Sequence, residues 1–152
     1  PLRAFESELG AQPPFGFWDP LGLTQGGSTE TFARRRQTEI KHGRISMLAT
    51  MGYITPEITG KFPGYLSPSN NLTYNDIPNG LGAISKVPAA GWVQIFLYCA
   101  FVETAQDQSP GTTAATGDFG QFKFFLPDDE AGVEKKKASE LANGRLAMMA
   151  IT

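Results

Sequence analysis

Apolar residues recur at helical spacing in three stretches of the chain, which are separated by loops rich in glycine and proline. The pattern predicts helices over about residues 30–58, 88–105 and 129–152, joined by long ordered loops. The third pattern is still running at Thr152. We therefore expect a single domain over residues 1–152 that is cut within its third helix, with the native protein continuing beyond it.

Hydropathy alone does not predict a membrane protein. The mean hydropathy is −0.20, a value typical of soluble proteins. The middle stretch, from Val87 to Val102, contains no charged residue and is flanked by Lys86 and Glu103. It falls short of the roughly 18 unbroken apolar residues that usually mark a spanning helix.

An internal repeat reverses that conclusion. Residues 38–50 read TEIKHGRISMLAT and residues 139–151 read SELANGRLAMMAI. The Arg triplet at residues 34–36 is aligned with a Lys triplet at residues 135–137. With one helix between them, the two repeat helices would enter a membrane from the same side, with both basic triplets on one face as the positive-inside rule requires.

Each copy of the repeat carries a glutamate and an arginine that point in different directions. On an ideal helix, Glu39 and Arg44 lie about 140° apart, so they do not pair within one helix. If the two repeat helices cross about a local two-fold axis, Glu39 meets Arg145 and Arg44 meets Glu140. The pairing removes the cost of isolated charges in a low-dielectric medium, and the glycine beside each arginine allows the backbones to approach.

These side chains are also potential ligands of a hard metal ion. A carboxylate paired with arginine keeps an oxygen lone pair, and His42 and Asn143 occupy equivalent positions with a nitrogen and an oxygen donor. Each helix supplies single, separate donors instead of a converging cage. That arrangement suits magnesium whose other positions are filled by a macrocycle, as in a porphyrin-type pigment.

The motifs E-x-x-H-G-R and E-x-A-N-G-R-x-A-M-M-A, with the loop GFWDPLGL, resemble the light-harvesting chlorophyll-binding family over nearly the whole chain. The resemblance implies that the Glu–Arg pairs bind chlorophyll magnesium and lock the helix crossing. Carried over to this sequence, the magnesium ligands are Glu39, His42, Glu140 and Asn143, with Arg44 and Arg145 as their partners; Gln94 and Glu103 resemble the remaining ligands, in the middle helix.

One spacing departs from the plant antenna proteins and indicates a different branch of the family. The plant Gln and Glu of the middle helix are eight residues apart, whereas Gln94 and Glu103 are nine apart. This spacing, with GWVQIF and FPGYLSPS, resembles the algal chlorophyll a/c type, and KVPAAGW, DIPNGL and PLRAFE most resemble dinoflagellate peridinin proteins. The implied cofactors are chlorophyll a, chlorophyll c and a carotenoid, peridinin or fucoxanthin, with diadinoxanthin as a further candidate.

Loop residues before the first and third helices are candidate carotenoid contacts. Asp19, in WDP, and Asp118, in GDFG, resemble family positions that hold the polar ends of carotenoids. The ordinary alternative is turn and cap chemistry, which aspartate performs in any protein. Trp18 fits either pigment packing or an aromatic belt at the membrane interface.

The resemblance implies an all-α membrane protein of three transmembrane helices, in which helices 1 and 3 cross as a pseudo-two-fold pair. It would be a multi-pass thylakoid antenna of the plastid that passes excitation to photosystem I or II, beside other antenna subunits and thylakoid lipids. A photoprotective member of the family and a soluble helical interaction domain remain open alternatives. No catalytic Ser/His/Asp set or phosphate loop predicts an enzyme, and the net charge of −2 argues against a nucleic-acid partner.

Overall fold

The structure, a computed structural model, describes residues 5–24, 26, 28–105 and 129–152. Its helices are α1 (Thr29–Ile58), α2 (Ala83–Lys86), α3 (Ala89–Ala105) and α4 (Glu130–Ile151). The three long helices begin and end within one residue of the bounds expected from the sequence. The pattern did not predict the short helix α2 or a small antiparallel hairpin of β1 (Tyr65–Ser67) and β2 (Leu72–Thr73).

The described residues group into two compact units. The first consists of those within Pro1–Met47 and Asp107–Thr152, and the second of those within Leu48–Gln106. The first unit therefore holds the N-terminal part of α1 together with α4. The second holds the rest of α1, the hairpin region, α2 and α3.

In the first unit, α1 and α4 approach each other closely at a pair of glycines. A Cβ atom placed on Gly43 would lie 3.0 Å from the Cα of Gly144, and one on Gly144 would lie 3.1 Å from the Cα of Gly43. Leu141 and Ala147 are buried on either side of Gly144, on one stripe of α4. The small residues thus let two backbones meet, as expected from the repeat.

In the second unit, a compact loop follows α1. Gly60, with φ of +79°, provides the left-handed turn that ends the helix. The hydroxyl and N–H of Thr73 both donate to the carboxylate of Asp76, which closes a single 3-10 turn. The Lys61 ammonium donates to the carbonyl oxygens of Asn75 and Ile77 and so ties the start of the loop to its end.

Within the described ranges, no single helix is both long and apolar enough to cross a membrane. One bent pair, Gly80–Lys86 with Ala89–Ala105, meets the length and composition criteria together, with 106° between its two parts. The indole Nε1–H of Trp92 donates to the carbonyl of Ile84 across this bend, at 3.3 Å. The number of transmembrane helices therefore stays a prediction.

Candidate functional site

Two ion pairs join α1 to α4 where they cross. The Arg44 Nε donates to Oε1 of Glu140 at 2.6 Å, and the Arg145 Nε donates to Oε1 of Glu39 at 2.7 Å. The predicted reciprocal pairing is therefore confirmed: each helix supplies the arginine for the glutamate of the other.

These pairs are only partly shielded from the surroundings. The side chains of Arg44 and Glu140 are each 35% exposed, and those of Arg145 and Glu39 are 37% and 28% exposed. A carboxylate at this depth is reachable by a ligand at the helix surface while its charge remains compensated. Each glutamate can therefore stabilise the crossing and still offer a carboxylate oxygen to a ligand.

Arg36 adds a second guanidinium to Glu39, a contact that the sequence analysis missed. Its Nη1 donates to Oε2 of Glu39, while Arg145 occupies Oε1. The signal was present, because Arg36 and Glu39 are three residues apart and so face each other on a helix. Each carboxylate oxygen has two lone pairs, so Oε2 still has one for a metal.

The ring of His42 is held by a hydrogen bond to the backbone of its own helix. Its Nδ1 lies 2.8 Å from the carbonyl oxygen of Thr38, one helical turn earlier. Since a carbonyl only accepts, Nδ1 is the protonated nitrogen, and Nε2 of the neutral ring keeps its lone pair. Hydrogen bonds of this kind commonly fix the tautomer of ligating histidines. His42 is exposed, so Nε2 is accessible.

Asn143 reproduces the same device in the second copy of the repeat. Its Nδ2 donates to the carbonyl oxygen of Ser139 at 2.9 Å, again one turn earlier. The amide is thereby oriented so that Oδ1, an oxygen donor suited to magnesium, is the atom left for a ligand outside the helix. His42 and Asn143 are chemically different, yet each has its donor set by the same backbone contact.

The two predicted ligands of the middle helix lie in the other unit. Gln94 and Glu103 are both exposed on α3. Nine residues apart, they project from nearly opposite sides of the helix. Among the described residues, no three His, Cys, Asp or Glu side chains converge on a possible metal site. Their role as ligands stays a prediction.

Asp19 braces the loop before α1. The Thr24 hydroxyl donates to its carboxylate, as do the backbone N–H groups of Thr24 and Leu23 at 2.9 and 3.0 Å. These donors, the hydroxyl first, hold the pKa of Asp19 below its ordinary value. These hydrogen bonds show that Asp19 stabilises a turn, and its contact with a carotenoid stays a prediction. Trp18 is exposed beside Phe15, and Asp118 lies outside the described residues.

The N-terminal segment also reaches the crossing, which no periodic pattern indicated. The Arg145 Nη1 donates to the carbonyl oxygen of Gly10 at 2.8 Å, and Nε2 of Gln12 donates to that of Ala138 at 2.9 Å. Phe5 is buried and stacks on Phe32 of α1. In two of these three contacts the acceptor is a main-chain carbonyl. The spacing of side chains along the sequence does not indicate which carbonyl accepts a hydrogen bond.

Comparison with known proteins places this chain in a family. The model of a family described as chlorophyll A-B binding protein matches residues 5–152. Similar proteins include fucoxanthin-chlorophyll a-c binding protein B of Macrocystis pyrifera, 46% identical over 97% of this chain and 70% of its own length. A caroteno-chlorophyll a-c-binding protein of Amphidinium carterae is 60% identical over 63% of this chain and 95% of its own length.

The Macrocystis pyrifera match covers nearly the whole chain and so includes more than the motifs that suggested the resemblance. Fucoxanthin-chlorophyll a-c binding protein B of Phaeodactylum tricornutum is likewise 44% identical over 97% of this chain. The resemblance to the chlorophyll a/c branch is therefore confirmed. The chain belongs to the chlorophyll a-b binding protein family.

Proposed function

We propose that this chain is a light-harvesting antenna subunit that binds chlorophyll a, chlorophyll c and carotenoids and passes excitation to a photosystem. The observation that carries the proposal is the helix crossing held by two reciprocal Glu–Arg pairs, with an oriented donor beside each pair. Proteins of this family bind pigments and are not enzymes. The printed names of the relatives combine chlorophyll a-c with fucoxanthin or another carotenoid.

The chain's own residues provide binding and orientation. Glu39 and Glu140 supply carboxylate oxygens, and each carboxylate charge is compensated by at least one arginine, so a pigment can be ligated by a carboxylate that is not an isolated charge. His42 and Asn143 supply donors fixed by backbone hydrogen bonds. When bound, chlorophyll absorbs light and transfers the excitation. We assign Gln94 and Glu103 as ligands on α3 on the strength of the family resemblance.

The exposed apolar surface supports a membrane location with pigments at the helix surfaces. Large apolar side chains are exposed around α3, and others are exposed on α1 and α4. We propose that the three long helices span the thylakoid membrane of the plastid, and that α1 projects its basic first turns into water. At about 1.5 Å per residue, 30 residues exceed the roughly 30 Å hydrocarbon core. A photosystem core, neighbouring antenna subunits and thylakoid lipids are the proposed partners.

The direct test is pigment extraction from the purified protein, followed by chromatography and absorption spectroscopy. We expect chlorophyll a, chlorophyll c and a carotenoid that absorbs between the chlorophyll bands. The carotenoid peak decides between peridinin and fucoxanthin. Purified protein without bound chlorophyll, or with chlorophyll b in place of chlorophyll c, would contradict the proposal.

His42→Leu is expected to remove one chlorophyll and to leave the helix crossing intact. His42 takes no part in the ion pairs, and its only assigned task is to present Nε2. The measurement is the number of chlorophylls per polypeptide together with the thermal midpoint followed by circular dichroism.

His42→Asn is the matched control, because Asn143 does the equivalent task in the other copy. We expect this variant to recover much of the pigment that His42→Leu loses. Equal pigment content in all three proteins would show that His42 is not a ligand.

A dissipating, photoprotective role is less well supported, and the geometry of Asp76 bears on it. The Thr73 hydroxyl and backbone N–H, and the nearby Lys61 charge, hold the pKa of Asp76 below its ordinary value. A carboxyl with a lowered folded pKa stabilises the fold above its unfolded pKa of about 3.9, and that contribution is lost only as the pH falls through the folded pKa. Asp76 therefore stays ionised at mildly acidic pH.

We accordingly expect Asp76 to give no pH response between about pH 7.5 and 5.5. The chlorophyll fluorescence lifetime of the pigment-loaded protein should follow the same pH profile in the native chain and in Asp76→Asn. A lifetime that shortens at pH 5.5 in the native chain, but not in Asp76→Asn, would instead identify Asp76 as a proton sensor.

A further inference from the structure

Residues 5–12 lie outside both copies of the repeat, yet they contact both repeat helices. We propose that this segment, here called the strap, is a positioning element that holds α1 and α4 at the separation at which both Glu–Arg pairs form. Loss of its contacts then weakens the two pigment sites together. The inference rests on the proposed pigment binding at the crossing, but the helix separation that it predicts is measured independently of pigment content.

The strap packs on α1 through the ring of Phe5. This side chain is 6% exposed and lies parallel to Phe32, with 4.1 Å between the ring centroids and 4° between the planes. Among the described residues, the buried hydrophobic side chains are those of Phe5, Leu141 and Ala147, and the last two belong to α4. One ring of the strap is therefore a large part of the buried apolar packing of the first unit, so we expect its removal to loosen the crossing.

The strap contacts α4 through two hydrogen bonds. Nη1 of Arg145 donates to the carbonyl oxygen of Gly10 at 2.8 Å, and Nε2 of Gln12 donates to that of Ala138 at 2.9 Å. Ala138 lies two residues before the glutamate of one ion pair, and Arg145 is the arginine of the other. The contacts of the strap with α4 therefore lie beside both Glu–Arg pairs.

Two consecutive turns within the strap fix the distance between its contacts. The N–H of Glu8 donates to the carbonyl oxygen of Phe5 at 3.2 Å, and the N–H of Ala11 donates to that of Glu8 at 2.9 Å. The folded strap thus presents the Phe5 ring to one helix and the Gly10 carbonyl to the other. Since these hydrogen bonds restrict its backbone, the strap constrains the separation of the two helices, unlike a flexible linker.

Gly10 is buried between charged side chains of both helices. A Cβ atom placed there would lie 2.6 Å from Nη1 of Arg36 and 2.8 Å from Nη2 of Arg145. Arg36 belongs to α1 and Arg145 to α4. The same position of the strap therefore meets one guanidinium group from each helix, at the level of the ion pairs.

The test compares Phe5→Ala and Gln12→Ala, which remove the contact with α1 and one contact with α4, in the full chain reconstituted with chlorophylls and carotenoids. The helix separation is measured by double electron–electron resonance between spin labels on Arg34→Cys and Lys135→Cys, two exposed positions that the repeat aligns. The exposed Cys99 is replaced by serine in every sample, so that only these two positions are labelled.

We expect each variant to broaden the distance distribution and to release chlorophyll from both sites about threefold faster or more, the factor that one ordinary hydrogen bond contributes. The difference spectra of Glu39→Ala and Glu140→Ala identify the two sites. Because the strap acts only while it is held at both ends, the double variant Phe5→Ala with Gln12→Ala should lose less in thermal midpoint than the sum of the single losses. Two independent stabilising contacts would instead give additive losses.

Phe15→Ala is the matched control for Phe5→Ala, because it removes a ring from the same N-terminal loop that is 76% exposed. Phe5→Leu keeps an apolar side chain and should recover most of the native distance distribution, and Gln12→Ala keeps the test decisive should Phe5→Ala not fold. An unchanged distance distribution, additive midpoint losses, or chlorophyll loss from one site alone would overturn the strap. A native chain that binds no chlorophyll would contradict the proposed function, while the helix separation would still test the strap.

Discussion

Arg44→Leu is expected to abolish the chlorophyll at Glu140 and to destabilise the helix crossing by about 2 kcal/mol. The substitution leaves the Glu140 carboxylate without the Nε donor that lies 2.6 Å from it. Breaking a fully buried pair typically costs about 3–5 kcal/mol, and the partial exposure of both side chains lowers that figure here. The carboxylate left behind is then an uncompensated charge in a low-dielectric medium, which destabilises the crossing and the pigment site together.

The measurement is chlorophyll content together with the thermal loss of the visible circular dichroism signal. A charge exchange, Arg44→Glu with Glu140→Arg, serves as the control, since it keeps one ion pair between the helices while moving the carboxylate to α1. It should recover stability but place the ligand on the other helix. Full chlorophyll content and native stability in Arg44→Leu would disprove the role assigned to the pair.

Gly43→Ala is expected to weaken both pigment sites at once. The new Cβ would lie 3.0 Å from the Cα of Gly144, which belongs to backbone and cannot move aside. The helices must therefore separate, and both Glu–Arg pairs lengthen together. Overpacking of this kind costs about 1–3 kcal/mol, which exceeds the gain of about 1 kcal/mol in helix propensity.

The matched control is Gly52→Ala, on the same helix. No described atom lies within 4 Å of a Cβ at Gly52, so only the propensity gain remains and the helix should be stabilised slightly. Thermal midpoints measured on the pigment-loaded proteins should thus shift in opposite directions. A downward shift of equal size in both variants would mean that the glycine contact does not set the crossing.

The reciprocal pairing could be predicted because both copies of the repeat carry a glutamate and an arginine that face different directions. Glu39 and Arg44 cannot pair within α1, and the same holds for Glu140 and Arg145 in α4. Each of these charges is therefore compensated by a residue of the other helix. The glycine contact followed from the same symmetry. The contact of Arg36 with Glu39 is equally visible in the three-residue spacing, but the triplet served only as evidence for the side of the membrane on which both helices begin.

Other features could not be obtained from spacing. The orientation of His42 and Asn143 depends on carbonyl groups, which every residue carries and no pattern singles out. The approach of Gly10 to Arg145 joins segments far apart in the chain. Such contacts depend on the three-dimensional path of the backbone, which the spacing of residue types does not reveal.

The sequence by itself determined the family, the three long helices and the partners of the charged residues, because duplicated charges and helical periodicity are local or symmetric constraints. Only the tertiary structure decided that residues 5–12 return to the crossing of α1 and α4. The Phe5 ring stacks on Phe32, and the main-chain carbonyls of Gly10 and Ala138 accept hydrogen bonds from Arg145 and Gln12. A long-range contact to a carbonyl needs no particular side chain at the accepting position, so the sequence carries no mark of it.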